Sequence, residues 1–286
     1  MKPARFDYAR PVDLAAATAA LMDAGANGAA KPIAGGQSLG PMLNLRLARP
    51  SRLVDVARLP DLRRVEEGAG GVLFGAAITH AEFEDGAVPD PTPGFLPRIA
   101  HGIAYRAVRN RGTIGGSLAH ADPAADWPTT LAALGARVHL AGPAGRREMP
   151  VEAFILGAFE TALAPGEIIT GVFIPRCAAG ARFGYRKSCR KLGEFAEAMC
   201  AVLSDRARGV HRLVVGATEA RPLVVTEAAG LIADPAGIDD LLCRAGLGGD
   251  PATFRLRRAV IGDAIAALAR ETTPESLTPS MKSVAP

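Results

Sequence analysis

At 286 residues the chain has room for one large or two medium domains, and 49% hydrophobic against 22% charged residues marks a chain that buries a core. A net charge of +4, with dispersed arginines and only 5% aromatics, lacks the basic stripe and stacking rings of a nucleic-acid binder. No apolar run approaches the ~20 residues that span a bilayer, and Met1 to Tyr8 has no signal-peptide core, so the chain is expected to be cytoplasmic.

Pro11-Val12-Asp13 opens a predicted helix that carries Leu14, Ala17 and Leu21 at helical spacing and runs to Ala24, with Gly25 as its stop. Lys31 to Ala34 reads as a short strand entering a Gly35-Gly36 turn. A helix from Gly40-Pro41 then carries Leu43, Arg46 and Leu47, and a strand from Arg52 to Val56 closes a small α/β lobe. Leu62 to Glu67 and Val72 to Ala76 predict a hairpin about Gly68-Ala69-Gly70-Gly71. Thr79-His80-Ala81-Glu82 is a capping-box helix start, and Pro89 to Gly94 is too proline-rich for anything but a loop. Phe95 to Tyr105 reads as a helix leading to a second glycine turn, Asp126 to Leu134 as a helix, and Ala136 to Leu140 and Glu167 to Ile174 as strands.

The small-residue break Cys177-Ala178-Ala179-Gly180 is the expected domain boundary. It separates residues 1–177, with lobes at about 1–57 and 58–177, from residues 178–286. Beyond it, Arg182 to Ser188, Glu197 to Ser204 and Val210 to Ala217 predict a three-stranded antiparallel sheet. Helices are expected at Val224 to Ile232, Ile238 to Cys243 and Phe254 to Ala269, and 272–286 as a loose tail.

The chemistry concentrates in two stretches, Lys31-Pro32-Ile33-Ala34-Gly35-Gly36-Gln37-Ser38-Leu39 and Arg109-Asn110-Arg111-Gly112-Thr113-Ile114-Gly115-Gly116-Ser117-Leu118. A Gly-Gly pair reaches positive φ at little cost and lets its amides approach a ligand closely. Successive amides form a nest for anions, to which Ser38, Thr113 and Ser117 add hydroxyls. Two such nests suit a ligand with adjacent phosphates, and Lys31 could join them. Neither stretch has the G-x-G-x-x-G spacing of the doubly wound dinucleotide fold. A carboxylate facing a diphosphate would repel it, so of Asp122 and Asp126 at least one points elsewhere. Asp122, before Pro123, reads as a turn-former, and Asp126, before Trp127-Pro128, as a helix cap. Cys177, Cys189, Cys200 and Cys243 have no C-x-x-C or iron–sulfur spacing, and no histidine pairs with a Cys or carboxylate at ligand spacing. A chain with no metal of its own is expected, and no catalytic acid–base set is legible.

The two stretches resemble the FAD signatures of the medium, flavoprotein subunit of the molybdenum hydroxylases, the family of xanthine and carbon monoxide dehydrogenases. The likeness covers nearly the whole chain. It includes Met42 to Ala48 with Leu53 to Val56, Val108 to Gly116, Pro165 to Ile169 and Arg190 to Ala198. It implies an α+β chain: an FAD-binding domain of the vanillyl-alcohol-oxidase (PCMH) type with two α/β lobes, then a smaller C-terminal domain.

By the same resemblance FAD is bound non-covalently, and Asp126 meets its ribityl or ribose hydroxyls. Ile103 and Ile169 line the adenine and flavin sites, Lys187 or its neighbour Arg186 supplies a cation at the flavin pyrimidine edge, and Phe195 covers one ring face. A large molybdopterin subunit and a small subunit with [2Fe–2S] clusters are the implied partners, in a dimer of heterotrimers. Electrons would leave for NAD, a quinone, a cytochrome or oxygen. The alternatives are a self-contained flavin oxidase of the same fold and a non-catalytic module that has lost its flavin.

Overall fold

The computed structural model describes residues 2–23, 30–191 and 193–270. The chain opens with β1 (Asp7–Ala9), α1 (Leu14–Met22), β2 (Ala30–Ile33), α2 (Leu39–Asn44) and β3 (Arg52–Asp55). The three strands are parallel, in the order β1-β3-β2, as helical crossovers require. Asp13 caps α1 by accepting the Ala16 amide at 2.7 Å. The expected stop at Ala24 and Gly25 lies outside the described residues, as does the tail 272–286. α2 starts one residue before the expected Gly40 and ends at Asn44. Arg46 then turns left-handed at φ +60°, which leaves Arg46 and Leu47 outside the helix that was to carry them.

Next come β4 (Val65–Gly68), β5 (Gly71–Gly75), α3 (His80–Glu84), α4 (Phe95–His101), α5 (Arg106–Arg109), α6 (Ile114–His120) and α7 (Asp126–Leu134). They lead into β6 (Arg137–Gly142), β7 (Gly145–Pro150), α8 (Val151–Phe154), β8 (Ile155–Gly157), β9 (Glu160–Thr161) and β10 (Ile168–Pro175). A five-stranded antiparallel sheet runs β4-β5-β10-β6-β7. Leu62 falls in a 3₁₀ turn over Pro60–Arg63 and packs into the core, so the first hairpin strand starts at Val65. The helix expected to reach Tyr105 closes at His101, because Ala104 takes a left-handed φ of +44° and the chain restarts as α5. The Thr79–Glu82 capping box forms as read, and α7 spans the expected residues with every one of them buried.

Aromatic rings join α3 and α7 to the sheet: Phe74 to Phe83 at 4.9 Å and Phe83 to Trp127 at 5.2 Å between centroids. Beside them the Trp127 indole donates to His80 Nδ1 at 2.9 Å. Burial, with the nearby Arg109 charge, lowers the His80 pKa to about 4, so the imidazole stays neutral. As pH falls from His80's ordinary value near 6.5 towards 4, the unfolded chain takes up the proton before the folded one. Stability therefore declines across that window. His80→Gln, which can still accept from Trp127, is expected to remove a fall of about 3 kcal/mol. Denaturant titrations of both proteins at pH 7 and pH 4.5 check this, and equal pH slopes would contradict it.

The chain continues through β11 (Arg182–Ser188), β12 (Ala198–Asp205), β13 (Val210–Gly216), β14 (Leu223–Val225), α9 (Ala229–Ala233), α10 (Ile238–Arg244) and α11 (Pro251–Arg270). The antiparallel sheet β11-β12-β13-β14 has four strands, one more than expected. Leu223 to Val225, which overlaps the helix expected from Val224, pairs instead with Leu213 to Val215. β-Branched residues suit that edge, and the helix shrinks to α9. Alternation buries both faces: Phe183, Ala201, Leu203 and Val214 join the core of the first 177 residues. Cys200, Val202, Leu213 and Val215 pack with Leu242 of α10 and with Ile261 and Ala264 of α11. Among the described residues no helix is long and apolar enough to cross a membrane.

Candidate cofactor site

β2 ends at Ile33, and the backbone bends through Ala34, Gly35, Gly36, Gln37 and Ser38 into α2, with Gly36 at φ +71°. A Cβ on Gly35 would overlap the Arg111 carbonyl group, 2.6 Å from its carbon, and stand 2.9 Å from Gly112 Cα. Glycine there lets two segments 76 residues apart meet backbone to backbone, and Arg111 Nε adds a 3.4 Å hydrogen bond to Gly35 O. The amides of Gly35, Gly36, Gln37, Ser38 and Leu39 donate to no acceptor among the described residues. Gln37 Nε2 donates to Gly35 O at 3.0 Å, and the Ser38 side chain makes no cap bond to α2. Residues 35–39 are half-buried and run into the start of α2, whose first amides have no helical partner, so five consecutive donors stand open to an acceptor.

The second pair is not a nest. Gly115 and Gly116 form the first turn of α6, and the amides around them are spent inside the chain. Ile114 N donates to Ile78 O at 3.0 Å, Gly115 N to Ala76 O at 2.9 Å, Gly116 N to Thr113 Oγ1 at 3.1 Å and Ser117 N to Thr113 O at 3.0 Å. Gly115 is required by packing, since its Cβ would lie 2.5 Å from Ala76 Cβ. This segment presents the half-buried Ser117 hydroxyl and the exposed Cβ-free surface of Gly116, while the buried Thr113 accepts the Gly116 amide. Lys31 and Pro32 are exposed on β2, and burial, with a smaller part from the Lys31 charge, lowers the His120 pKa.

Asp126 is the first residue of α7 rather than its cap, a position Ala125 holds. Its Oδ1 accepts the Tyr185 hydroxyl at 2.6 Å and Lys187 Nζ at 2.8 Å, and Lys187 also donates to Gly102 O at 2.9 Å. Both charged side chains are about nine-tenths buried. Tyr185 and Lys187 stand two apart on β11 and so share one face, whereas Arg186 is exposed on the other; Lys187 is the cation that turns toward Asp126. Burial and the Asp126 charge raise the Tyr185 pKa well above its ordinary value. Asp122 makes the expected turn, its Oδ1 accepting the Ala124 amide at 2.9 Å.

The remaining site residues fall in two places. Ile169 is buried in β10 among the core residues. Ile103 lies in the turn between α4 and α5, and its carbonyl accepts from Arg109, whose guanidinium is held on both oxygens of Glu84. A Cβ on Gly193 would come 2.5 Å from Ala104 O, so the loop carrying the exposed Phe195 abuts that turn. Tyr185 and Arg111 were not singled out from sequence. Arg111 had the visible signal of standing just before Gly112-Thr113. Among the described residues no cluster of His, Cys, Asp and Glu could hold a metal ion. Cys177 and Cys200 are buried, Cys189 half-buried and Cys243 exposed. A cleft of about 660 Å³ near Glu152, Thr218 and Arg221 contains none of the residues named for the site.

A glycine bend with five open amides, beside a hydroxyl-bearing segment, has the donors that a phosphate-bearing cofactor would need. Comparison with known proteins supplies the family. The family described as the FAD binding domain in molybdopterin dehydrogenase matches residues 4–177. The carbon monoxide dehydrogenase medium chain of Hydrogenophaga pseudoflava is 36% identical over 231 residues, 80% of each chain. The nicotine 6-hydroxylase medium subunit of Paenarthrobacter nicotinovorans is 42% identical over 178 residues, 62% of each chain. A structure of the Hydrogenophaga pseudoflava carbon monoxide dehydrogenase superposes with a TM-score of 0.85 at 33% identity, covering 94% of this chain and 99% of that one. Quinoline 2-oxidoreductase from Pseudomonas putida 86 gives a TM-score of 0.83 at 32% identity, with the same coverage. This chain belongs to the FAD-binding medium subunits of the molybdenum hydroxylases, and it is an oxidoreductase subunit.

Proposed function

We propose that this chain carries FAD between a small [2Fe–2S] subunit and an external electron acceptor, in a dimer of heterotrimers whose large subunit holds molybdopterin and the substrate site. On this reading residues 1–177 are a PCMH-type domain with lobes at about 1–57 and 58–177, and residues 178–286 form a second domain in the same cytoplasmic complex. The observation that carries the proposal is the run of free amides from Gly35 to Leu39, pressed against Arg111 and Gly112. When bound, FAD supplies reversible redox chemistry that no side chain can.

The residues divide the work of holding it. The amides of Gly35 to Leu39 bind the diphosphate at the end of the Lys31–Ala34 segment, and the Ser38, Thr113 and Ser117 hydroxyls add donors at its edges, beside Ile114, Gly115 and Gly116. Asp126 spends Oδ1 on Tyr185 and Lys187 and retains Oδ2 to accept a ribityl or ribose hydroxyl. Lys187 uses two donors on Gly102 O and Asp126 and keeps the third for the pyrimidine edge. With Asp126 this close, it presents a nearly neutral pair rather than a bare cation. Ile103 and Ile169 line the apolar parts, and Phe195 covers the outer ring face.

The test is the visible spectrum of the full chain purified alone and within its complex. The expected result is flavin bands with one FAD released per chain by acid, and no turnover of small substrates by the chain alone. Turnover by the isolated chain would favour a self-contained oxidase. A colourless chain that refuses added FAD would overturn the reading.

A further inference from the structure

We propose that the Arg111 guanidinium closes the diphosphate cradle as its charged member, an inference that rests on the FAD reading above. A diphosphate linker brings two negative charges, and amides answer them only with neutral dipoles. Anions held away from water need a cation or a full set of donors. The second glycine segment cannot complete that set with amides, because those of Ile114, Gly115, Gly116 and Ser117 are already bonded within the chain.

Arg111 is placed to fill the gap. Its own carbonyl touches Gly35, and its Nε hydrogen-bonds Gly35 O at 3.4 Å, so the guanidinium is tethered to the bend that carries the free amides. Its terminal nitrogens have no hydrogen-bond or ion-pair partner among the described residues, whereas nearby Arg106 and Arg109 are both committed to Glu84. Arginine's planar fork matches two phosphate oxygens as an ammonium does not. Lys31, the other cation near this bend, is exposed on β2 and, unlike Arg111, has no side-chain hydrogen bond among the described residues to hold it to the bend.

Titration of the flavin-free full chain with FAD, followed by flavin fluorescence at low and high salt, tests this. Arg111→Gln should weaken FAD binding by about tenfold or more and flatten its salt dependence. Arg111→Lys should keep the salt dependence and recover part of the affinity. It also preserves the test should the glutamine variant fold poorly, since affinity equal to wild type would then overturn the fork. Wild-type affinity in Arg111→Gln, or weakened binding with an unchanged salt slope, would overturn the proposal. A wild-type chain that takes up no FAD would instead overturn the function proposed above, and this inference with it.

Discussion

Gly35→Val is expected to abolish FAD retention, leaving under about a tenth of the wild-type FAD per chain in the purified protein. The Cβ would strike backbone, the Arg111 carbonyl and Gly112 Cα, and backbone cannot swing aside as a flexible side chain can. The two segments must part, and the free amides of residues 35–39 lose their register with Arg111 and Thr113. Overpacking of this kind costs about 1–3 kcal/mol, so the chain should still fold, with a lowered melting midpoint. Gly116 provides the contrast. Its Cβ would meet only Thr113 Oγ1, at 2.8 Å, on an exposed face, so Gly116→Ala should cost far less FAD. Full FAD occupancy in Gly35→Val would contradict the convergence of the two segments as the basis of binding.

Asp126→Ala is expected to destabilise the chain by about 3–5 kcal/mol, because it leaves Lys187 charged and nine-tenths buried with no counter-ion. It also frees the Tyr185 hydroxyl. Adding Lys187→Met removes the stranded charge, so the double variant should recover most of the loss. Urea unfolding of the two single variants and the double variant gives the coupling directly. Additive losses would show that the pair contributes nothing across the junction of α7 and β11. Because Asp126 lies on α7 and Lys187 on β11, the same interaction ties the C-terminal sheet to the first core.

Much of this was written locally in the chain. Asp126 to Leu134 reads as a helix because apolar residues recur around it and Gly135 ends it in a left-handed cap, and Thr79 with Glu82 carries its own start signal. The two glycine pairs were equally visible but not equally legible. Whether an amide is free depends on what lies across from it. Ala76 and Ile78, almost 40 residues upstream, take the amides of Gly115 and Ile114, while no described residue takes those of Gly35 to Leu39. Tyr185 escaped notice for a similar reason. Its partner is 59 residues away, and a tyrosine in a strand has no local mark of a polar role. The fourth strand was lost to a helix reading because a short run such as Leu223 to Val225 has no decisive period, and only pairing with Leu213 to Val215 makes it a strand.

Amide hydrogen exchange of the full chain, with and without FAD, most directly tests the claim that the first glycine bend alone supplies main-chain donors. FAD should slow exchange at Gly35, Gly36, Gln37, Ser38 and Leu39 by about tenfold or more, and leave Ile114, Gly115 and Ser117 as they were. Unchanged exchange across residues 35–39 in the FAD-loaded chain would contradict it.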